Sequence, residues 1–346
     1  MVAALISKII GMIYKSPLSS LLGRESFACF QFAQNVYFTL LMIASFSIPQ
    51  AVSKIMSERI AFKRYRDAQR VFKGALLYAV IAGGIVALIC VFGASVLVPD
   101  SVANARLALQ MLAPTIFISG ILGVFRGYFQ AYRNMMPTSI SQIVEQIAVA
   151  VVALLMANFM VHHFAGAGED TLQRWSAAGA TIGTGAGVMA ALLFMLFVYS
   201  VNRKTINRRI ARDKVSVDES YQQVMRNIVL IVAPIILSAF IYNVNGYING
   251  VMYTSISDFR GMDNSQVKVL YAEFGFFMTL INIPLTLAST APTSMIPEVS
   301  AHYATGDVKG AIEKINNATW ISMLISMPAS VGLAVLAQPV TALLFP

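Results

Sequence analysis

Gln142, Glu145 and Gln146 stand at i, i+3 and i+4 inside "PTSISQIVEQIAVAVVALLMANF", a stretch otherwise almost wholly apolar. That spacing puts all three on one face of a helix, and Ile143, Val144, Ile147 and Val151 take the other faces. Glu145 lies eight residues past Pro137, on the order of 12 Å along a helix that starts there. A carboxylate at such depth in hydrocarbon costs at least ~2.5 kcal/mol. The stripe is therefore expected to face a polar interior or another helix, not lipid. Just upstream, "FRGYFQAYRNMMPTS" reads as a turn, with Pro137 in the first turn of the next helix and Thr138 and Ser139 near its cap. Arg126 and Arg133 are seven apart, on one face if the helix runs on, and are expected to snorkel to the boundary.

Similar stripes recur in other apolar segments. Lys8 and Lys15 flank Gly11; Gln31, Gln34 and Asn35 form a second group, and Tyr242, Asn245 and Asn249 a third. Glu273 and Asn282 belong to a further segment. One amide in a membrane span is usually an interhelical contact. Stripes on five helices suit a shared hydrated cavity better. In it Lys8 and Lys15 can meet an anionic headgroup, with the amides of Gln31, Gln34, Asn35, Gln142, Asn245 and Asn249 along the wall. Glu145 and Glu273 can pair with the lysines or bind a coupling cation or proton.

Other constellations point elsewhere. "GATIGTGAG" lacks a preceding strand; Gly179, Gly183 and Gly187 recur every four residues, which suits close helix packing. His162 and His163 are adjacent and lack a carboxylate pair at metal spacing. Cys29 and Cys90 sit in separate apolar runs, suggesting neither a disulfide nor a metal site. No nucleophilic triad or Walker-type loop stands out, so the expectation is not an enzyme, with no cofactor beyond a monovalent cation or proton.

The elements that carry these residues are set by hydropathy. Of 346 residues, 57% are hydrophobic and 12% charged, about half the charge of a soluble domain. The apolar runs reach the roughly 20 residues that span a bilayer. Nine spans are expected, near 1–22, 27–53, 74–98, 105–125, 138–160, 176–200, 227–254, 269–297 and 315–337: an all-α polytopic membrane protein. Alternate connections hold eighteen and six Lys or Arg, which places the N-terminus and the basic loops in the cytoplasm. The net charge of +9 then reflects loops facing anionic lipid. No aromatic platform accompanies it, so a nucleic-acid partner is not expected. Prolines 49, 114, 234, 284, 292, 297 and 328 fall within or at the ends of spans and are expected to kink them.

A weak internal repeat appears as well. "SIPQAVSKIMSERIAFKRYRDAQRVFKGAL" resembles "TAPTSMIPEVSAHYATGDVKGAIEKINNAT", with Pro49 on Pro292, and Tyr14 falls on Tyr242. Parallel repeats of this kind are a transporter plan. They divide the chain into a six-helix lobe (1–200), a basic cytoplasmic linker (201–226) and the first three helices of a second lobe (227–346). On this reading roughly three helices of the second lobe are lacking, as in a C-terminal truncation.

"LISKIIGMIYKSPLSSLLG", "SIPQAVSKIMSE" and above all "RGYFQAYRNMMPTSISQIVEQI" closely resemble the SpoVB/YtgP branch of the MurJ-like flippases, within the multidrug/oligosaccharidyl-lipid/polysaccharide exporter superfamily. The resemblance covers nearly the whole chain. It implies two six-helix lobes around a cavity, and alternating-access transfer of lipid-linked cell-wall or polysaccharide precursors, such as those of peptidoglycan, across the cytoplasmic membrane. The family's Ser-Arg-x-x-Gly pattern matches "SKIIG", which implies that Lys8 contacts a pyrophosphate. A second family arginine falls on Tyr14, beside Lys15; the acidic residue early in the second helix falls on Cys29. The second helix's cavity arginine has no counterpart near Met42 and Ile43. Membrane lipids and a lipid-linked saccharide are the expected partners, and a monomer the expected state. The alternatives are a cation-coupled small-molecule exporter, which would want unpaired acids and few lysines in the cavity, and a non-transporting scaffold for glycosyltransferases.

Overall fold

The structure is a computed structural model. It describes all residues except 1, 47, 218–219, 305 and 345–346, and at some helical positions, Lys8, Tyr242, Pro292 and Pro297 among them, the side chain lies outside the described residues. The described chain is nearly all helix. Its α-helices are α1 (Val2–Ile13), α2 (Lys15–Leu41), α3 (Ile48–Ala61), α4 (Tyr65–Phe92), α5 (Ala94–Leu97), α6 (Ala105–Ala131), α7 (Met136–His163), α8 (Glu169–Ala211), α9 (Tyr221–Phe259), α10 (Asn264–Ala304) and α11 (Val308–Leu344). Among the described residues, each of the nine expected spans lies mostly on helix. By length and apolarity alone, five helices among the described residues can cross a membrane: α4, α6, α7, α8 and α11. On α2 the polar residues Arg24, Glu25, Gln31, Gln34 and Asn35 dilute the apolar content.

Lipid-type faces are visible as exposed apolar stripes. Leu77, Ile81, Ile85, Leu88 and Phe92 recur at helical spacing along α4 and are all exposed, as are Ile147, Val151, Leu155 and Phe159 on α7. The opposite faces bury alanine and glycine. Gly179, Gly183 and Gly187 of α8 lie directly on α7: a Cβ at Gly183 would sit 2.5 Å from the Ala153 nitrogen. The close packing expected of this stripe is thus what holds α7 to α8.

Local breaks follow from particular residues. Gly23 takes φ 73°, ψ 164°, a left-handed conformation that turns the chain between the first two expected spans. Between α2 and α3, residues Met42–Phe46 form one π-helical turn. Pro49 follows, and having no N–H it cannot donate to the Ser45 carbonyl, which breaks the regular ladder there. By contrast α6, α9 and α11 run through Pro114, Pro234 and Pro328. α6 ends at Ala131 and Arg133 adopts φ 59°, so Arg126 and Arg133 do not share a helical face. α7 begins with Pro137 in its first turn, while Asn134, not Thr138 or Ser139, accepts a helix-start amide, that of Met136, at 3.2 Å.

The basic stretch after residue 200 continues α8 to Ala211 and then docks on the start of α4. Asp213, buried, accepts hydrogen bonds from the Arg66 amide (2.7 Å), the Val215 and Ser216 amides (2.9 and 3.0 Å) and Ser216 Oγ (2.6 Å). Asp67, fully buried and paired with Arg64 at 2.8 Å, accepts from the Val217 amide at 3.1 Å. Burial by itself raises the Asp213 carboxyl, but these hydrogen bonds outweigh it and hold the group well below the usual carboxylate range. A folded-state value below the unfolded one gives stability that is fully present above about pH 4 and is lost only as pH falls through the depressed value. The segment is therefore expected to stay docked at pH 4. Asp213→Asn should loosen it at neutral pH by about 1–3 kcal/mol, read as faster hydrogen exchange at Arg66, Val215 and Ser216.

Candidate functional site

A cavity of about 1380 Å³ lies between α1, α2, α6, α7 and α8 on one side and α9 and α10 on the other. Lys15, Gln31, Gln34, Asn35, Gln142, Glu145, Asn245 and Asn249 all contribute to its wall. Lys8 is carried by α1, but its side chain lies outside the described residues, as does that of Tyr242. Glu273 is elsewhere: it is exposed and pairs with Arg24 at 3.3 Å beyond the cavity. The described members of the stripes thus meet at one place, apart from Glu273.

The amides reach across helices as well as into the cavity. Asn35 donates to Tyr271 Oη on α10 at 2.9 Å, and Gln34 donates to Thr184 Oγ1 on α8 at 2.9 Å. The Gln31 amide lies against Gly275 and the Gln146 amide against Gly11, so that a Cβ at either glycine would make the amide move aside. Small residues at these positions let polar side chains sit between helices without prising them apart.

Arg126 was expected at the boundary with its head in water. Instead its guanidinium turns into the cavity wall, donating from Nη2 to Glu145 Oε2 at 2.7 Å and from Nε to Ser141 Oγ at 3.0 Å. The pair is mostly enclosed, with side-chain exposures of 15% and 19%. Glu145 is the one acid among the described lining residues, and Arg126 and Lys15 are the cations. The signal that could have found Arg126 is the hairpin itself. Arg126 and Ser141 are equally far from the turn at 133–134, so antiparallel helices bring them level, and Glu145 is one turn beyond.

The lining reaches Gln50 and Gln130, towards the end that carries the basic connections. Past the turn at Gly23, the α2 lining resumes at Phe30, and outward of it a polar seal forms. Lys268, 6% exposed, donates to Gln173 Oε1 at 2.7 Å and faces Glu25 at 3.8 Å; Gln173 in turn donates to Glu25 at 2.6 Å. Phe27 stacks on Phe276 just below, with centroids 5.1 Å apart. These contacts join α2 and α8 to α10. The cavity is therefore shut at the end opposite the basic loops.

Residues 1–302 match the family model described as "Polysaccharide biosynthesis protein". The chain belongs to this family. Within the polysaccharide biosynthesis protein family, it is 25% identical over 350 residues to the lipid II flippase MurJ of Bacillus subtilis, covering 96% of this chain and 62% of that protein. It is 26% identical over 306 residues to stage V sporulation protein B of the same organism, covering 86% and 56%. The chain thus spans less than two thirds of the length of these relatives. Among solved structures, an inward-facing multidrug resistance MATE family transporter of the MOP superfamily superposes with a TM-score of 0.71 at 17% identity, covering 99% of this chain and 72% of that one. A MOP superfamily transporter from Pyrococcus furiosus gives 0.63 at 16% identity, with the same coverage. The family, the homology to MurJ and SpoVB, and the MATE-type helical fold match the resemblance carried by the three motifs.

Proposed function

We propose that the chain is a multi-pass protein of the cytoplasmic membrane that moves a lipid-linked cell-wall or polysaccharide precursor from the inner to the outer leaflet by alternating access. The observation that carries this reading is the cavity lining: among the described residues, amides from several helices, two cations and a single acid already paired with one of them. Such a wall suits a diphosphate-linked sugar, with Lys15 and Lys8 at the phosphates and Gln31, Gln34, Asn35, Gln142, Asn245 and Asn249 along the sugar path. Nine spans, an N-terminus in the cytoplasm, a six-helix lobe and three helices of a second lobe complete the picture; the charge asymmetry of the connections and the repeat support it. The basic end then faces the cytoplasm, and the seal at Lys268 closes the outer side. The alternative of a cation exporter is less well served, because the lining acid, Glu145, has a guanidinium at 2.7 Å.

The chain reconstituted in liposomes should translocate a fluorescent prenyl-diphosphate saccharide, read by its accessibility to an impermeant quencher. Lys8→Ala and Lys15→Ala should each slow transfer more than about tenfold, since a charged hydrogen bond to phosphate contributes ~1.5–3 kcal/mol. Transfer no faster than in protein-free liposomes would refute the reading.

A further inference from the structure

We propose that Arg126 is the anchor for a phosphate oxyanion in the cavity, and that Glu145 is the internal anion which that phosphate displaces. The inference rests on the flippase reading and deepens it, by naming the group that holds the headgroup and the group that competes for it.

The geometry argues for an exchangeable pair. Ser141 is fully buried and gives its hydroxyl proton to the Thr138 carbonyl at 2.7 Å, leaving its oxygen to accept from Arg126 Nε. That bond fixes the guanidinium plane whatever occupies Nη2. Only Glu145 meets Nη2, and Nη1 meets no acceptor among the described residues. A planar fork with one edge held and the other partly open is suited to two oxygens of a phosphate. A parked carboxylate keeps the cation neutralised in a mostly enclosed wall while no substrate is present. A diphosphate carries more charge than one carboxylate and so competes well for the same donors. Lys15, across the same cavity, adds a second positive charge, and Gln142 and Gln146 flank Glu145 with amides. The carboxylate released from Arg126 still borders the cavity, where water can solvate it.

The competing explanation is that the pair only fastens α6 to α7. The two differ in sign for one variant. If Glu145 competes with the ligand, Glu145→Gln should strengthen phosphate binding; if the pair is a fastener, the same change should weaken binding or do nothing.

The test uses the purified chain in lipid nanodiscs with two probes, inorganic pyrophosphate and a polyprenyl diphosphate, and a polyprenyl alcohol as control. Arg126→Met should weaken diphosphate binding at least tenfold, and Arg126→Lys, which keeps charge but not the fork, should weaken it less. Glu145→Gln should strengthen it several-fold, and the double variant should bind like Arg126→Met. Binding of both probes through Arg126 supports recognition of the headgroup alone; binding only of the polyprenyl form supports recognition that needs the lipid. Weaker binding in Glu145→Gln, or binding indifferent to Arg126→Met and Arg126→Lys, overturns the proposal while leaving the flippase reading in place. Should Arg126→Met not fold, the Lys and Gln variants still decide. A wild-type chain that binds neither probe removes both proposals.

Discussion

Lys268→Met is expected to unseat the closed end of the cavity. Lys268 is 6% exposed and holds Gln173 and Glu25 at once, so its loss leaves a partly buried carboxylate facing an apolar group. Removing one partner of a fully buried pair costs about 3–5 kcal/mol. Here Glu25 keeps 27% of its side-chain surface exposed and the ion pair is 3.8 Å long. A cost of about 2 kcal/mol is therefore the better expectation, roughly thirty-fold in the ratio of closed to open. The neighbouring pair Arg24 and Glu273, 3.3 Å apart and exposed, supplies the readout. Cysteines at those two positions should be bridged readily by a short bifunctional thiol reagent in the wild-type background and far more slowly with Lys268→Met. Adding Glu25→Gln should restore much of the rate, because it removes the orphaned charge. Equal cross-linking in all three backgrounds would mean that the seal is held by the Phe27–Phe276 stack and not by charge.

The second large effect is steric. Gly183→Leu should prevent stable assembly of α7 on α8. A Cβ there would lie 2.5 Å from both the nitrogen and the Cβ of Ala153, which is itself buried, so the collision is with backbone that cannot rotate away. Overpacking a core costs about 1–3 kcal/mol when side chains can yield, and more is expected here. Thermal aggregation in detergent should shift down sharply, and yield should fall. Gly84 on α4 is the matched control, since nothing lies within 4 Å of a Cβ built there. Gly84→Ala should be neutral or stabilise by ~0.5–1 kcal/mol.

How far these features could be read from sequence depends on the range of the interaction behind each. The α7 stripe was legible because Gln142, Glu145 and Gln146 lie within one turn and a half of helix, and hydropathy alone forbids that face to lipid. The same holds for the glycine stripe of α8 and for Pro137 at the start of α7. The partner of Glu145 was not legible from periodicity, since Arg126 comes from the preceding helix and the reach of a guanidinium cannot be judged without knowing how that helix leans. In the sequence Lys268 is only one of the six basic residues of the less basic connections. Its burial depends on Glu25 and Gln173, which lie 243 and 95 positions away. Glu273 was grouped with the cavity residues by its place in an apolar segment, whereas its contact with Arg24 draws it outside the cavity.

The π-helical turn at Met42–Phe46 joins two stretches that share α6 as a neighbour but differ in their other main ones, α4 for α3 and α8 and α10 for α2. Beyond it, Pro49 is wedged against α6, where a Cβ on Gly127 would come within 2.7 Å of the Pro49 carbonyl oxygen. Before it, Asn35 is tied to Tyr271 and Phe27 to Phe276, both on α10. Because α2 also packs on α6, a movement of α10 away from α6 pulls on α2 from two sides, and this five-residue elbow, where the ladder is already loosened, is where the rod is expected to bend.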